Sequence, residues 1–352
     1  MSNQSVSLEP FSIGKVQINP NLILAPMSGV TNTHFRRLIR EENPGAVGLL
    51  VTEFISIEAL TRDVAKAFER LSYEEVERPI SIQIFGYDID RMVEAAKRVE
   101  DAGADIVDIN CGCPAPKVVK KGGGCELMRH PQHLAKMLSL VEKAVSIPLT
   151  LKIRSGWCSD SRNGLEIAKL AEDSGVQMLT IHGRTKADMY RGDCDWELIG
   201  QVAENLKIPV VGSGDVLCFE SAKKALEVGV AGLMIGRGAL QNPWIFQELT
   251  AAFSGTEYQR PSDLETVRVL KRYRDLLFED LHERAVIGKM KQLTSQVTRR
   301  VRASAEVRRT LCSSKSMTEY SEMLDRWEDN LTAGVVHNGE LNDSNTAMRT
   351  AA

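Results

Sequence analysis

Short apolar, β-branched runs recur along the first 250 or so residues, and each is followed by polar or glycine-rich residues and then by an amphipathic segment. The eight runs are 22–25, 47–52, 80–85, 105–110, 149–153, 178–182, 209–212 and 232–236. Uninterrupted apolar runs are typical of parallel strands buried on both faces. Residues 88–103 between two of them have apolar side chains at helical spacing, from a capping Asp88 to a terminating Gly103. The pattern predicts eight strand–helix units.

Eight alternating units favour an α/β fold of the (β/α)8 TIM-barrel type over its alternative, a doubly wound open sheet, because no early GxGxxG is present. A TIM barrel has its active site at the carboxyl ends of the strands. Chemically functional residues stand at or near the ends of all eight runs: Ala25-Pro26-Met27, Glu53, Gln83, Asn110-Cys111-Gly112-Cys113-Pro114, Lys152-Ile153-Arg154, His182-Gly183-Arg184, Gly212-Ser213-Gly214-Asp215 and Gly236-Arg237. This alignment supports the barrel.

The pattern changes after about residue 249. Residues 255–262 have the composition of a linker, and Met290, Leu293, Val297 and Val301 then form one apolar stripe at helical spacing. We therefore expect a small all-α domain after the barrel. The predicted organisation is a leader over 1–12, a catalytic barrel over 13–250, a helical domain over 262–331 and a disordered tail over 332–352.

The net charge of the 352-residue chain is −3, which speaks against a protein coated with basic residues for nucleic acid. The charge is uneven, however: residues 1–249 carry −4 and residues 284–315 carry +8. A solvated helix face is one explanation, but so concentrated a positive charge beside an acidic barrel favours binding to a phosphate backbone.

Seven cysteines without zinc-type spacing indicate a reduced, cytosolic context without a metal site. The N-terminus lacks the features of a signal peptide, and no apolar run approaches the roughly 20 residues of a membrane span. We expect a cytoplasmic monomer that does not enter a membrane.

The last two predicted strands end in residues suited to phosphate binding: Ser213, Gly214, Asp215, Gly236 and Arg237. Glycines let backbone N–H groups approach phosphate oxygens, and an arginine adds a charged fork. TIM barrels commonly bind phosphate at these two strand ends, although plain tight turns would have the same composition.

Lys152, at the end of the fifth predicted strand, requires an anionic partner in the barrel mouth. The pyrimidine edge of a reduced flavin is one such partner. Gln83 offers a donor and an acceptor to the same kind of ring. His182 is either part of this site or a structural histidine, and its place at a strand end favours the site.

Segment 110–114 is the most informative motif. A cysteine in a Gly-Cys-Pro turn at a barrel mouth faces the site, and at its ordinary pKa of about 8.5 it is mostly protonated at neutral pH. Cys113 is therefore a candidate proton donor, while Cys111 faces the other way. The following basic segment, with Lys120 and Lys121, has the composition of a mobile lid over an anionic substrate.

Together these motifs resemble the flavin-dependent tRNA-dihydrouridine synthases, most closely their bacterial B subclass. The resemblance covers about residues 13–250 and rests on these segments in order: Ala25-Pro26-Met27-Ser28-Gly29-Val30-Thr31, Gln83-Ile84-Phe85-Gly86, Asp108-Ile109-Asn110-Cys111-Gly112-Cys113-Pro114, Leu151-Lys152-Ile153-Arg154-Ser155-Gly156-Trp157, Ile181-His182-Gly183-Arg184-Thr185, Gly212-Ser213-Gly214-Asp215 and Met234-Ile235-Gly236-Arg237-Gly238. Each segment alone is weakly specific, whereas their combination is highly specific. Ser213 departs from the pattern, since asparagine is commoner there.

The resemblance implies an FMN-containing TIM barrel and a helical domain that grips tRNA. It implies reduction of the C5–C6 double bond of a uridine, with a D-loop position expected, and NADPH as the reductant of the flavin. The implied proton donor is Cys113, and Asn110 and Arg154 hold the uracil. The implied FMN contacts are Pro26, Met27, Ser28, Gln83, Lys152, His182, Ser213, Gly214, Asp215, Gly236 and Arg237.

The tRNA contacts that we expect from the charge distribution are Lys120, Lys121, Arg299, Arg300 and Arg302. A flavin oxidoreductase acting on a free pyrimidine or a small enone is the alternative enzyme, but it would need neither basic segment. An RNA-binding protein without turnover is the alternative from another class, but it would need no proton donor.

Overall fold

The computed structural model of the chain describes residues 6–301 and 305–334, and the chain divides into two compact units between Arg260 and Pro261. The strands are β1 (Phe11–Ile13), β2 (Val16–Ile18), β3 (Leu22–Leu24), β4 (Leu49–Val51), β5 (Ile55–Ser56), β6 (Ile80–Phe85), β7 (Ile106–Cys111), β8 (Leu149–Arg154), β9 (Met178–His182), β10 (Val210–Ser213) and β11 (Gly232–Ile235). All of them lie in the first unit.

The helices of the first unit are α1 (Thr33–Glu42), α2 (Ile57–Leu60), α3 (Ala65–Leu71), α4 (Ile89–Asp101), α5 (Pro116–Val119), α6 (Pro131–Glu142), α7 (Gly164–Asp173), α8 (Trp196–Asn205), α9 (Phe219–Leu226), α10 (Arg237–Gln241) and α11 (Ile245–Ser254). Those of the second unit are α12 (Asp263–Phe278), α13 (Glu283–Val297), α14 (Ala305–Ser313) and α15 (Met317–Thr332). Short 3-10 turns cover Glu75–Glu77, Gly124–Arg129 and Thr298–Arg300.

The first unit is a closed barrel of eight parallel strands: β3, β4, β6, β7, β8, β9, β10 and β11. Strand β11 pairs with β3, and β4 pairs with β6, so the sheet has no open edge between its first and last strands. The short β5 adds a further pairing to β6. Closure confirms the predicted TIM barrel and excludes the open sheet.

The local sequence explains where helix α4 begins, which face it buries and where it ends. Helix α4 begins at Asp88, whose side chain accepts a hydrogen bond from the N–H of Arg91, and its inward face buries residues such as Met92 and Val99. Gly103 follows the helix with a φ of +80°, a left-handed conformation that glycine adopts without steric cost. The helix predicted over 88–103 is confirmed.

The structure also contains an antiparallel hairpin, β1–β2, that the hydrophobic pattern did not predict. Its strands are three residues long, too short to show a period. Ile13 and Ile18 are fully buried in one apolar cluster with Ile23 and Ile106 of the barrel strands. The hairpin therefore belongs to the packed barrel and spans the boundary that we predicted between leader and barrel.

The second unit consists of helices. Ser262 caps α12 in a reciprocal capping box with Glu265, and the predicted stripe from Met290 to Val301 is buried. A buried hydrogen bond of 2.6 Å joins Thr294 of α13 to Tyr320 of α15. The predicted tail, 332–352, lies outside the described residues from 335 onward. In neither described part of the chain is a helix long and apolar enough to cross a membrane.

Candidate active site

Cys113 lies just beyond β7, and the side chain of Asn110 holds its backbone. Asn110 Oδ1 accepts hydrogen bonds from the N–H groups of Cys113, at 2.9 Å, and Gly112, at 3.2 Å. Burial raises the pKa of the half-buried Cys113 thiol, outweighing the opposing hydrogen bond from the backbone of Ala115 and nearby cations. The thiol is therefore protonated at neutral pH, as a proton donor must be. Cys111 is fully buried.

A chain of buried hydrogen bonds extends from Asn110 into the barrel. Asn110 Nδ2 donates to Gln83 Oε1 at 2.7 Å, and Gln83 Nε2 donates to Asp108 Oδ2 at 2.6 Å. Thr150 Oγ1 donates to the other oxygen of Asp108, also at 2.6 Å. Burial raises the pKa of Asp108 to about 6, against the opposing effect of these hydrogen bonds. Because each partner fixes the next amide, the network orients Asn110.

Lys152 and His182 bring basic side chains to the ends of β8 and β9. Burial, followed by repulsion from Arg154, lowers the pKa of Lys152 to about 8, although Asp108 opposes the shift. Burial and then repulsion from Lys152 lower the pKa of His182 to about 2. Lys152 is thus charged at neutral pH and His182 is a neutral imidazole. A positive charge beside a neutral donor–acceptor ring suits an anionic heterocycle.

Arg154 is almost completely buried and serves as a backbone anchor. Its Nε donates to the carbonyl of Gly112 at 3.0 Å, and its Nη1 donates to the carbonyls of Thr185, at 2.7 Å, and Met189, at 2.8 Å. Within the described residues its Nη2 has no hydrogen-bond partner. Arg154 can therefore offer a charge-assisted donor to a substrate carbonyl while it holds the turn before Cys113.

Asp215 lies at the centre of the predicted phosphate site, but its carboxylate binds arginines. It accepts two hydrogen bonds from Arg184, at 3.0 and 2.6 Å, and one of 2.6 Å from Arg237. Its backbone, with a φ of +51°, follows the equally left-handed Gly214. In the part of the chain that the structure describes, the N–H groups of Gly214, Asp215 and Gly236 have no hydrogen-bond partner. Three free N–H donors beside Arg237 are suited to phosphate oxygens.

The loop after β3 borders the same end of the barrel. Met27 approaches Gly236 so closely that a Cβ there would lie 3.5 Å from the methionine sulfur. Pro26 is half-buried, Ser28 is exposed, and Ser213, the last residue of β10, is buried. Strand β11 pairs with β3 on one side and with β10 on the other, so these residues lie at the ends of adjacent barrel strands.

Tyr190 is a residue of the barrel mouth that the sequence pattern missed. Its ring lies 5.5 Å from the guanidinium carbon of Arg154, 5.1 Å from that of Arg237 and 6.5 Å from the His182 ring. The ring is 56% exposed, so it remains open to a ligand. No strand or helix contains it, and its place depends on the bond between Arg154 and the carbonyl of Met189.

The chain is similar to known proteins over most of its length. The profile of the dihydrouridine synthase (Dus) family matches residues 23–333. The chain is 40% identical over 272 residues to a tRNA-dihydrouridine synthase B from Pseudomonas aeruginosa, which covers 77% of this chain and 79% of the relative. It is 42% identical over 253 residues to a probable tRNA-dihydrouridine synthase from Rickettsia bellii, with 71% and 77% covered. The chain belongs to the dihydrouridine synthase family.

The dihydrouridine synthase match extends over residues of both compact units, and the B-type relatives agree with the subclass that the motifs resemble. Among solved structures, a mandelate oxidase with benzoyl-formic acid is similar at 16% identity and a TM-score of 0.46, over 72% of this chain and 80% of the other. That likeness is too remote to bear on the substrate of this Dus protein.

The predicted RNA-contacting residues of this Dus protein lie outside the cluster around Cys113. Lys120 and Lys121 are exposed just after α5, in a segment that forms a short helix and hydrogen-bonded turns. In the second unit, Arg299 is exposed and Arg300 half-buried in the 3-10 turn after α13. Arg302 lies outside the described residues. Among the described residues, no cluster of His, Cys, Asp and Glu is suited to a metal ion.

Proposed function

We propose that this protein reduces the C5–C6 double bond of specific uridines in tRNA to 5,6-dihydrouridine, with FMN as cofactor, NADPH as reductant and Cys113 as proton donor. The observation that carries the proposal is the position of Cys113. A protonated thiol is held by Asn110 at the mouth of a barrel whose neighbouring strands end in Lys152, Arg154 and His182. The names of the tRNA-dihydrouridine synthase relatives support the substrate. A D-loop position is what the resemblance of the motifs to the B subclass implies.

The residues at the strand ends fit FMN. Unpartnered N–H groups at Gly214, Asp215 and Gly236, next to Arg237, would bind its phosphate, and Lys152 would lie against the anionic edge of its ring. When bound, FMN would supply the hydride for C6 of the uracil. The residues that would hold it are Pro26, Met27, Ser28, Gln83, Lys152, His182, Ser213, Gly214, Asp215, Gly236 and Arg237.

The protein's own part in the reaction follows from three groups. Arg154 offers its free Nη2, and Asn110 lies within the same mouth, so these side chains would orient the uracil carbonyls. The Cys113 thiol would deliver its proton to C5, as general acid. A base inside tRNA must first leave its stack, which requires grip on the surrounding backbone. We assign these backbone contacts to Lys120, Lys121 and the basic segment with Arg299, Arg300 and Arg302. We also expect the protein to be a cytoplasmic monomer.

The experiment that tests this function uses the full-length protein, FMN, NADPH and tRNA transcribed in vitro, with dihydrouridine quantified by nucleoside mass spectrometry. We expect dihydrouridine at defined positions. The same assay with free uracil and uridine tests the alternative enzyme. Reduction of the free pyrimidine but not of tRNA would overturn the proposal in favour of a small-molecule oxidoreductase.

A further inference from the structure

A pocket of about 600 Å³ lies on the rim of the barrel, and it surrounds Lys120 and Lys121, which the proposed function assigns to the tRNA grip, with further residues that have no assigned role. Its lining comes from segments after β6, β7 and β8, and includes Lys120, Lys121, Arg129, His130 and Trp157. The proposed FMN phosphate site is built instead from the ends of β10 and β11. We propose that this pocket binds a backbone phosphodiester of the RNA strand that carries the target uridine, an inference that rests on the proposed function.

The charge of the pocket favours a phosphate. Lys120, Lys121 and Arg129 oppose a single acid, Glu126, which lies 3.1 Å from Arg129 and 3.4 Å from His130. Neither lysine forms an ion pair with any of the described residues, so both charges are available to a ligand. Positive charge therefore concentrates here, although residues 1–249 as a whole carry −4.

The ring of Trp157 contacts Arg129, which lines the pocket, and a second cation, Lys186, which lies outside the lining. The ring lies 4.6 Å from the guanidinium carbon of Arg129 and 4.4 Å from Lys186 Nζ. The backbone around the ring is fixed as well, because Lys186 N–H donates to the Gly156 carbonyl and Ala187 N–H to that of Trp157, both at 2.9 Å. Cations held in advance lose less conformational entropy when they bind an anion.

The amino terminus of α6 adds to the positive electrostatic potential of the pocket. Its N-cap residue, His130, lines the pocket, its side chain makes no capping hydrogen bond, and the first turn contains no acidic residue. The α6 macrodipole therefore presents its positive end at the pocket, where Glu126, outside the helix, is the acid beside the N-cap residue. This contribution is secondary to the side-chain charges, but it has the same sign.

The position of the pocket favours RNA as the source of the phosphate. Trp157 follows Arg154 by three residues, a span of at most about 10 Å, and Cys125, next to Glu126, donates its N–H to the Cys113 carbonyl at 3.1 Å. A strand that presents one base to Cys113 would bring its neighbouring phosphates close to this rim. The 2′-phosphate of NADPH has related chemistry, so the test must separate the two sources.

The test compares Arg129→Ala with Lys143→Ala in the full-length FMN-loaded protein. Lys143 is an exposed cation at the opposite end of α6, so the control removes the same charge from the same helix. We expect Arg129→Ala to raise the Kd for tRNA about 10-fold and to lower the salt dependence of binding by about one phosphate contact. Flavin reduction by NADPH should be unchanged, and Lys143→Ala should resemble the wild type. Lys121→Ala, at an exposed position, repeats the test if Arg129→Ala does not fold.

Two outcomes would overturn the inference. A raised KM for NADPH with unchanged tRNA affinity would assign the pocket to the dinucleotide, and unchanged values for both would leave it without a ligand role. Failure of the proposed function is distinguishable, because it is the absence of dihydrouridine from the wild-type reaction. The Kd comparison does not depend on that product and would still decide whether the pocket binds RNA.

Discussion

The backbone N–H of Cys113 donates to Asn110 Oδ1 at 2.9 Å. This bond fixes the turn that carries the candidate proton donor, and the Asn110 amide is itself fixed by Gln83. The position of the thiol therefore depends on a network that begins at buried Asp108. Such preorganisation matters because a proton donor contributes to the rate only in the correct geometry.

Replacement of Cys113 by alanine should reduce dihydrouridine formation by a factor of about 10² to 10⁴, the usual contribution of a general acid. Flavin content and flavin reduction by NADPH should be unchanged, since neither requires the thiol. Single-turnover kinetics on tRNA transcripts measure the effect. Cys158→Ala is the control, because Cys158 lies outside the contacts around the candidate site. A Cys113→Ala enzyme with wild-type turnover would exclude the proton-donor role.

Asp108→Asn should change how stability depends on pH. The folded pKa of Asp108, about 6, exceeds its ordinary 3.8, so the folded state binds more protons than the unfolded state between these values. Ionisation of this carboxyl therefore lowers the free energy of unfolding as pH rises from about 4 to 6, by up to about 3 kcal/mol. Between about pH 4 and 6, the free energy of unfolding measured in urea should therefore fall in the wild type relative to Asp108→Asn. A constant difference would mean that Asp108 titrates normally.

The strand ends were predictable from sequence because parallel strands in a barrel bring their carboxyl ends together whatever the loops do. Asp108 was within reach of the same reasoning, since it precedes Asn110 by two residues in β7 and alternate residues share a face. The positions of Tyr190 and Trp157 at the barrel mouth could not be predicted in this way. Both lie in loops that have no periodic hydrophobic pattern. Hydrogen bonds between distant segments position them instead: Arg154 donates to the Met189 carbonyl next to Tyr190, and Ala187 N–H donates to the Trp157 carbonyl.

Arg237→Ala should weaken FMN binding about 10-fold or more, because a charged hydrogen bond to phosphate contributes roughly 1.5–3 kcal/mol. Arg237 is held by Asp215 beside three free N–H groups, so it is already oriented toward that site. Flavin fluorescence during titration of the apoprotein measures the Kd. Arg191→Ala removes an exposed arginine from the loop that carries Tyr190 and should bind FMN normally. If both variants bound FMN with equal affinity, Arg237 would not be a ligand of the FMN phosphate.

Reversal of charge in the helical unit should weaken tRNA binding without affecting the flavin. Arg299 and Arg300 lie in a turn within the segment of net charge +8, so Arg299→Glu with Arg300→Glu should lower the salt dependence of binding by about two phosphate contacts. Filter binding at several salt concentrations measures the slope, and NADPH oxidation should remain at wild-type rate. The control, compared per reversed arginine, is Arg326→Glu, which reverses an exposed arginine among the acidic residues of α15. If the control weakens binding as much per reversed arginine as the double variant does, net charge alone governs affinity and the basic segment makes no specific contact.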